Sequence, residues 1–331
     1  MFGIVNKFNK SYIPVVLVLV LAIGYLAFLA EGTHNGVFYS ADGGVKYLTV
    51  KQVAEGHGFK YLYLPQPSWV QSIWRAGFFP LQPPFVYPSP RGYMYVFPPA
   101  FQLASSFLYS RLGFSGLYVL PVVCTVLLWG FMWLLLRRCG ISPGRIALAI
   151  FLMAFCSPLT IYGAVFWEHG PATLLLFAGL AFIARTPTRI GSAIGLGLIS
   201  GLAIWLRPEA IMLNLLYALA AFVLYRRERR PVHIAFAACL FLSVAAFMLF
   251  NLAEYGSLLG LHGQQLTDPN DTDDHLTLLK SLSNVVMTNY KSIRNFGFIL
   301  LLFPIVYRLI RRSGPAGGNG DPRVVDRKSV V

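Results

Sequence analysis

Residues 189–230 read RIGSAIGLGLISGLAIWLRPEAIMLNLLYALAAFVLYRRERR. Two apolar runs, 190–206 and 210–225, meet at Arg207-Pro208-Glu209 and are bracketed by Arg189 on one side and Arg226, Arg227, Arg229 and Arg230 on the other. Each run is too long and too uniformly apolar for a strand, and the proline-bearing tripeptide between them ends a helix. Runs of nearly 20 apolar residues cross the hydrocarbon of a bilayer, and shorter ones do so when flanking charges snorkel. The stretch therefore predicts a helical hairpin through a membrane. Its basic ends fall together on one side, as positively charged connections do on the cytoplasmic face.

The same pattern extends along the chain. Candidate spans are 12–30, 116–136, 146–166, 172–184, 190–206, 210–225, 232–252 and 296–310. With Lys7 and Lys10 cytoplasmic, so are Arg137, Arg138 and Arg145, then Arg185 and Arg189, then the Arg226–Arg230 cluster, and finally Arg308, Arg311 and Arg312. Before the terminal tail, Glu228 is the one acid assigned to that side. Asp42, Glu55, Glu168, Glu209, Glu254 and the group Asp268, Asp271, Asp273 and Asp274 fall outside or at the outer rim. The expected fold is an all-α polytopic membrane helix bundle of about eight spans over 1–312, with the N-terminus cytoplasmic. Composition agrees: 331 residues with 56% hydrophobic and 12% charged side chains carry more apolar surface than one soluble core can bury. The net charge of +14 is spread over short connections, which argues against a nucleic-acid partner and for membrane lipid. Cys124, Cys139, Cys156 and Cys239 lie within or at the inner ends of apolar segments, and no disulfide is expected. The first run reads as a retained anchor rather than a cleaved signal, because Phe28 stands where cleavage needs a small residue.

Residues 31–115 form an outer loop far longer than a link between neighbouring helices needs, and long loops commonly bind or catalyse. A short helix is expected near 43–56 with Asp42 at its start. The stretch 61–97 is dense in aromatics and prolines, which resists regular structure and suits the headgroup region, with Trp69, Trp74, Phe78 and Phe79 as anchors. Near 98–112, Gln102, Ser105, Ser106, Tyr109 and Ser110 alternate at helical spacing with Phe101, Ala104, Phe107, Leu108 and Leu112, which predicts a juxtamembrane amphipathic helix. A second outer segment, 251–295, carries Tyr255, His262 and an acidic run that lacks the glycine and glutamate of a calcium loop. Residues 313–331 read as a glycine-rich, disordered tail, and 326–331 match translated sequencing adapter, so the native chain is expected to continue past Arg312.

Ionisable groups at a membrane edge are costly to place there and are often functional. Asp42 can accept the proton of a hydroxyl nucleophile or cap its helix, and the two roles can coexist. Lys46, one turn on, can share its face and hold a phosphate. Arg207 at the outer rim can grip a phosphate bidentately or pair internally with Glu209. Glu168 and His169, in Trp167-Glu168-His169-Gly170-Pro171, form the turn between the third and fourth spans; they lack metal-ligand spacing and read as a second acidic group or as a helix cap. Motifs of soluble enzymes, a glycine-rich phosphate loop or a Gly-x-Ser-x-Gly elbow, do not occur.

With these elements in place, the chain resembles the GT-C superfamily of integral membrane glycosyltransferases, which includes protein O-mannosyltransferases, aminoarabinose transferases and bacterial polyprenyl-phosphate-sugar-dependent enzymes. Ser40-Ala41-Asp42-Gly43-Gly44 stands where these carry an essential acid after the first span, and Phe97-Pro98-Pro99-Ala100 where many carry His-Pro-Pro-Leu. Leu112-Gly113-Phe114 resembles the turn that follows, Glu168 matches a second acid, and Gly201 to Glu209 resembles a recurrent Gly-Leu-Ala…Arg-Pro turn. Gly43 replaces the second carboxylate of some relatives, and Phe97 the histidine. The resemblance implies a transferase of the bacterial inner membrane that moves a sugar from a polyprenyl-phosphate donor to a hydroxyl of a glycan, lipid or protein acceptor on the outer face. It implies Asp42 and Glu168 as catalytic groups and Lys46, Arg91 and Arg207 as donor-phosphate ligands. His169, Glu209, Trp69 and Trp74 would contact sugar or acceptor. No cofactor is fixed by it, and a divalent cation is allowed. The alternatives are a polytopic transporter or lipid flippase, and a non-catalytic assembly partner; no inverted repeat marks the former.

Overall fold

The computed structural model describes residues 10–33, 38, 40–62, 68–76, 85–89, 92–258 and 260. It is predominantly helical: α1 (Ile13–Thr33), α2 (Ala41–Ala54), α3 (Ser68–Arg75), a hairpin of β1 (Val86–Ser89) and β2 (Gly92–Tyr95), then α4 (Ala100–Leu112), α5 (Gly116–Arg138), α6 (Pro143–Phe155), α7 (Leu159–Ala164), α8 (His169–Ala184), α9 (Ile190–Leu206), α10 (Ala210–Glu228) and α11 (Pro231–Tyr255).

Among the described residues, four helical stretches are long and apolar enough to cross a membrane: 13–32, 100–138, 210–228 and 231–255. The 25-residue α11 alone measures about 37 Å, more than the ~30 Å hydrocarbon thickness. Helices α6, α8 and α9 are apolar but shorter. The outward surface of the bundle is apolar, with Leu17, Val20 and Phe28 on α1, Leu216, Leu219 and Phe222 on α10, and Leu242 and Leu249 on α11 all exposed. That surface is compatible with lipid as its solvent.

Small residues set the helix spacing. Along α9, Ala193, Gly197, Ser200 and Gly201 face inward. A Cβ at Gly197 would come within 2.8 Å of both Cys239 Cβ and the Phe236 carbonyl oxygen, so α9 and α11 touch backbone to backbone. A polar pair crosses to α10, where Ser200 donates to Asn214 Oδ1 at 2.7 Å and Asn214 Nδ2 donates back to the Ser200 carbonyl. On the other side, Ala22 and Leu26 of α1 pack with Leu128, Trp129, Ala154 and Leu159.

The structure departs from the sequence expectation at three places. The stretch 146–166 is not one helix: α6 stops at Phe155 and α7 starts after Pro158, whose ring cannot continue the hydrogen-bond ladder. The stretch 61–97 is more regular than its composition suggests, since it holds α3 and the hairpin. Tyr61 bridges Met94, Leu62 N donates to Tyr93 O at 2.7 Å, and Val45, Leu62, Val86 and Tyr95 form a small core. Gln52 knots this cap together, donating to the Tyr61 carbonyl at 2.8 Å while its Oε1 accepts from the Tyr95 hydroxyl. The first helix of the loop begins at Ala41, so Asp42 lies in its first turn and Ser40 is the N-cap. The span 296–310, the rest of the second outer segment and the tail lie outside the described residues.

Helix α4 follows its predicted periodicity in part, with the polar side inward: Gln102, Ser105 and Ser106 are buried and Phe107 and Leu112 exposed, but Phe101 is buried beside the polar residues and Ser110 is exposed. Gly113, at φ 60°, ends the helix, and a Cβ on Gly116 would meet the Leu108 carbonyl, so α5 turns away immediately against the end of α4.

Candidate functional site

Polar groups gather at one end of the bundle, where α2, packed against α4, meets the turn before α8. Two polar contacts tie it to that turn. Trp167 Nε1 donates to Ser40 Oγ at 3.0 Å, and the Lys46 ammonium donates to Glu168 Oε2 at 2.6 Å. The sequence separation across the second contact is 122 residues, so the turn before α8 holds the loop helix onto the bundle. Side-chain exposure is 2% for Lys46 and 9% for Glu168, so this is a buried ion pair in which each charge depends on the other. The Phe97 ring covers Lys46 from the far side, with Nζ 4.3 Å from its centroid.

Arg207 enters from the α9–α10 turn. Its Nη2 donates to Glu209 Oε1 at 3.0 Å, Nη1 stands 3.8 Å from Glu168 Oε1, and Nη1 also donates to the His169 ring. His169 is stacked among aromatics, 4.2 Å from the Tyr162 centroid and 5.0 Å from that of Trp167. Lys46, Glu168, Arg207, His169 and Glu209, drawn from α2 and two inter-helix turns, thus form one continuous network.

Electrostatics follow from this geometry. Burial alone would push the Glu168 carboxyl upward, but Lys46, Arg207 and His169 outweigh it and hold the group below the usual carboxylate range. His169 is held down to about 4 by burial and then by the Arg207 guanidinium, so at neutral pH its ring is uncharged and accepts from Arg207. Asp42 shares the α2 face with Lys46 by helical spacing but pairs with nothing: among the described residues its carboxylate has no hydrogen-bond or ion-pair partner, and it is half-buried. It is an unpaired carboxyl group beside a charge-balanced cluster. Arg207, 27% exposed, is the most accessible cation of the network, whereas Lys46 is enclosed.

The floor beneath is aromatic. Phe101 and Phe166 stack at 5.0 Å, and Phe38, Tyr47, Tyr109, Phe114 and Tyr118 surround them. Two glycines let the turn approach α5: a Cβ at Gly163 or Gly170 would lie 2.5 or 2.9 Å from Thr125 Oγ1.

Of the residues singled out from the sequence, Lys46, Glu168, His169, Arg207 and Glu209 come together here, and Asp42 lies one turn before Lys46 on α2. Trp69 sits on α3, 66% exposed with Ile73 beside it on the same face, and belongs to no part of the network. Trp74 is also on α3, but its side chain and the whole of Arg91 lie outside the described residues. Ser40, Trp167 and Tyr162 were not anticipated. Trp167 adjoins Glu168 in the chain, but nothing in the pattern ties its indole to Ser40. No group of three histidine, cysteine, aspartate or glutamate side chains among the described residues is disposed to hold a metal ion. Comparison of the chain with family models, with curated proteins and with solved structures returned no match in any of the three.

Proposed function

We propose that this chain is a GT-C-type membrane glycosyltransferase that moves a sugar from a polyprenyl-phosphate carrier to an acceptor hydroxyl on the outer face of the membrane. The observation that carries the reading is the unpartnered Asp42 carboxylate on the same helix face as Lys46, one turn from a cluster in which every other described acid already has a cation. A carboxylate left free beside a charge-neutral network is suited to take up a proton. The reading includes the full topology: α1, α5, the α6–α7 pair, α8, α9, α10, α11 and residues 296–310 as eight spans, N-terminus inside, with the network at the outer rim.

In the proposed reaction the acceptor oxygen attacks the anomeric carbon as its proton passes to Asp42. The new carbon–oxygen bond forms while the bond to the carrier phosphate breaks, and the electron pair leaves with the phosphate. That leaving group needs no acid, only charge stabilisation, and Arg207 is the partly exposed guanidinium able to supply it; Arg91 would add to it. Lys46 acts indirectly, by holding Glu168 and with it the turn that positions Arg207 and His169. Glu209 keeps the guanidinium in its fork geometry.

The test is transfer from radiolabelled lipid-linked sugars to membrane acceptors by the purified chain. Covalent product that disappears in Asp42→Asn, with folding and insertion unchanged, supports the assignment. A transporter or scaffold would give no covalent product, and an Asp42→Asn protein that transfers at the normal rate removes Asp42 from the role.

A further inference from the structure

A second feature lies at the opposite end of the bundle. There Arg185 Nη1 donates to the Arg138 carbonyl at 3.5 Å and Arg230 Nη2 to the Pro187 carbonyl at 2.9 Å, so the ends of α5, α8 and α10 and the starts of α9 and α11 converge. Between α10 and α11 runs a groove of about 490 Å³, walled by Leu215, Leu219 and Phe222 on one side and Ile234, Ala238 and Phe241 on the other. Its lining on α10 extends from Leu215 to Tyr225, about 15 Å along the helix axis, which is half of a ~30 Å hydrocarbon core. It is one leaflet deep.

The mouth of the groove is basic. Tyr225 and His233 frame it, and the Arg229 guanidinium lies over the Tyr225 ring at 5.8 Å. Glu228, the acid of this cluster, is occupied by Arg230 at 3.5 Å and by His233 Nε2 at 3.2 Å. Arg226, Arg227 and Arg229 are left with no ion-pair partner among the described residues. His233 is fully buried in the groove wall, and its Nδ1 has no hydrogen-bond partner, an orphaned polar atom where an apolar side chain would cost less.

We propose that this groove binds one anionic phospholipid, its phosphate on Arg229 and Arg226, one turn beyond the lining Tyr225 and Phe222, with Arg227 adding charge beside them, and an acyl chain between α10 and α11. Charge complementarity selects the anionic headgroup, and the leaflet-deep apolar wall selects a lipid over free phosphate. The inference rests on the membrane reading but not on the transferase reading, and binding is measured without any sugar transfer.

The chain in detergent is titrated with dioleoylphosphatidylglycerol or dioleoylphosphatidylcholine, and bound lipid is read by native mass spectrometry. Phosphatidylglycerol should be retained on the order of tenfold better, and Arg226→Gln/Arg227→Gln/Arg229→Gln should abolish that preference. Ala238→Trp, which fills the groove without touching charge, should reduce retention of both lipids. Equal retention of the two lipids by the unaltered protein overturns the proposal, as does displacement of the lipid by inorganic phosphate alone. Because that first comparison needs no variant, misfolding of the arginine triple leaves the test intact.

Discussion

Lys46 and Glu168 show how a buried charge constrains its surroundings. Removing one partner leaves the other desolvated and uncompensated, so Glu168→Leu should cost about 3–5 kcal/mol, read as a lowered thermal midpoint in detergent. Lys46→Met/Glu168→Leu should recover most of it, since a well-packed apolar pair avoids the desolvation cost; a double variant no better than the single would show that the pair does more than compensate charge. Asp42 behaves oppositely. It contacts no described partner, so Asp42→Asn should shift stability by less than about 1 kcal/mol, the scale of a helix-dipole interaction, while lowering transfer by about 10²- to 10⁴-fold, the usual worth of a general base. pH acts through the same residues. His169 titrates at about 4 when folded against an ordinary 6.5, so between these values the unfolded chain binds a proton the folded one refuses. Its stabilising contribution is whole above pH 6.5 and is lost as pH falls towards 4. Glu168, held below its ordinary 4.5, contributes fully above that value and loses its share only below it. Melting midpoints should therefore fall from pH 6.5 downwards, and His169→Gln, which stays neutral, should flatten the curve between 6.5 and 4.5 while leaving the steeper loss below.

At the scale of elements, α9 depends on what its residues lack. Gly197→Leu would drive a side chain into Cys239 and the Phe236 carbonyl and should destabilise by about 1–3 kcal/mol, the range for overpacked interiors. Gly195, two residues earlier, meets nothing within 4 Å, so Gly195→Ala should be neutral or stabilising by up to about 1 kcal/mol from helix propensity. Thermal unfolding of the two variants checks both; equal destabilisation would mean the glycines serve propensity or flexibility instead of contact. These helices were legible in the sequence because apolar length and flanking arginines are local signals. The break at Pro158 was equally local, and it was hidden by the apolar residues on either side, which keep the hydropathy high across it. The hairpin was obscured for a different reason. Pro88 lies within β1, and strand propensity counts against proline, whereas pairing with β2 and the Gln52 knot is a tertiary effect. The site was partly legible in the same sense: charge interrupting apolar sequence marked Asp42, Glu168 and Arg207 one by one. That Lys46 faces Glu168 and leaves Asp42 free is a pairing across 122 residues that no local period encodes.

The described helix bundle has two chemically distinct ends. Glu168, Arg207, Glu209 and the α2 face lie at one, and Arg138, Arg185 and the Arg226–Arg230 cluster at the other, so the helices between them act as a spacer that keeps an acid-bearing cap away from a basic rim. The asymmetry has the sense required by positive-inside insertion, which would place the cap outside and the basic rim in the cytoplasm. Native Cys139 is a reporter for the basic end: it is exposed and follows Arg138 directly. Glu55, exposed at the end of α2, marks the other end when replaced by cysteine. With the remaining cysteines changed to serine, a membrane-impermeant maleimide applied to intact cells should label Glu55→Cys and leave Cys139 unmodified until the membrane is permeabilised. The reverse pattern would put Asp42 in the cell interior, where an outer-leaflet donor cannot reach it, and the transferase assignment would fall with the topology. Labelling of both positions in intact cells would mean that the apolar helices do not form a closed barrier between them, and the membrane reading itself would have to be abandoned.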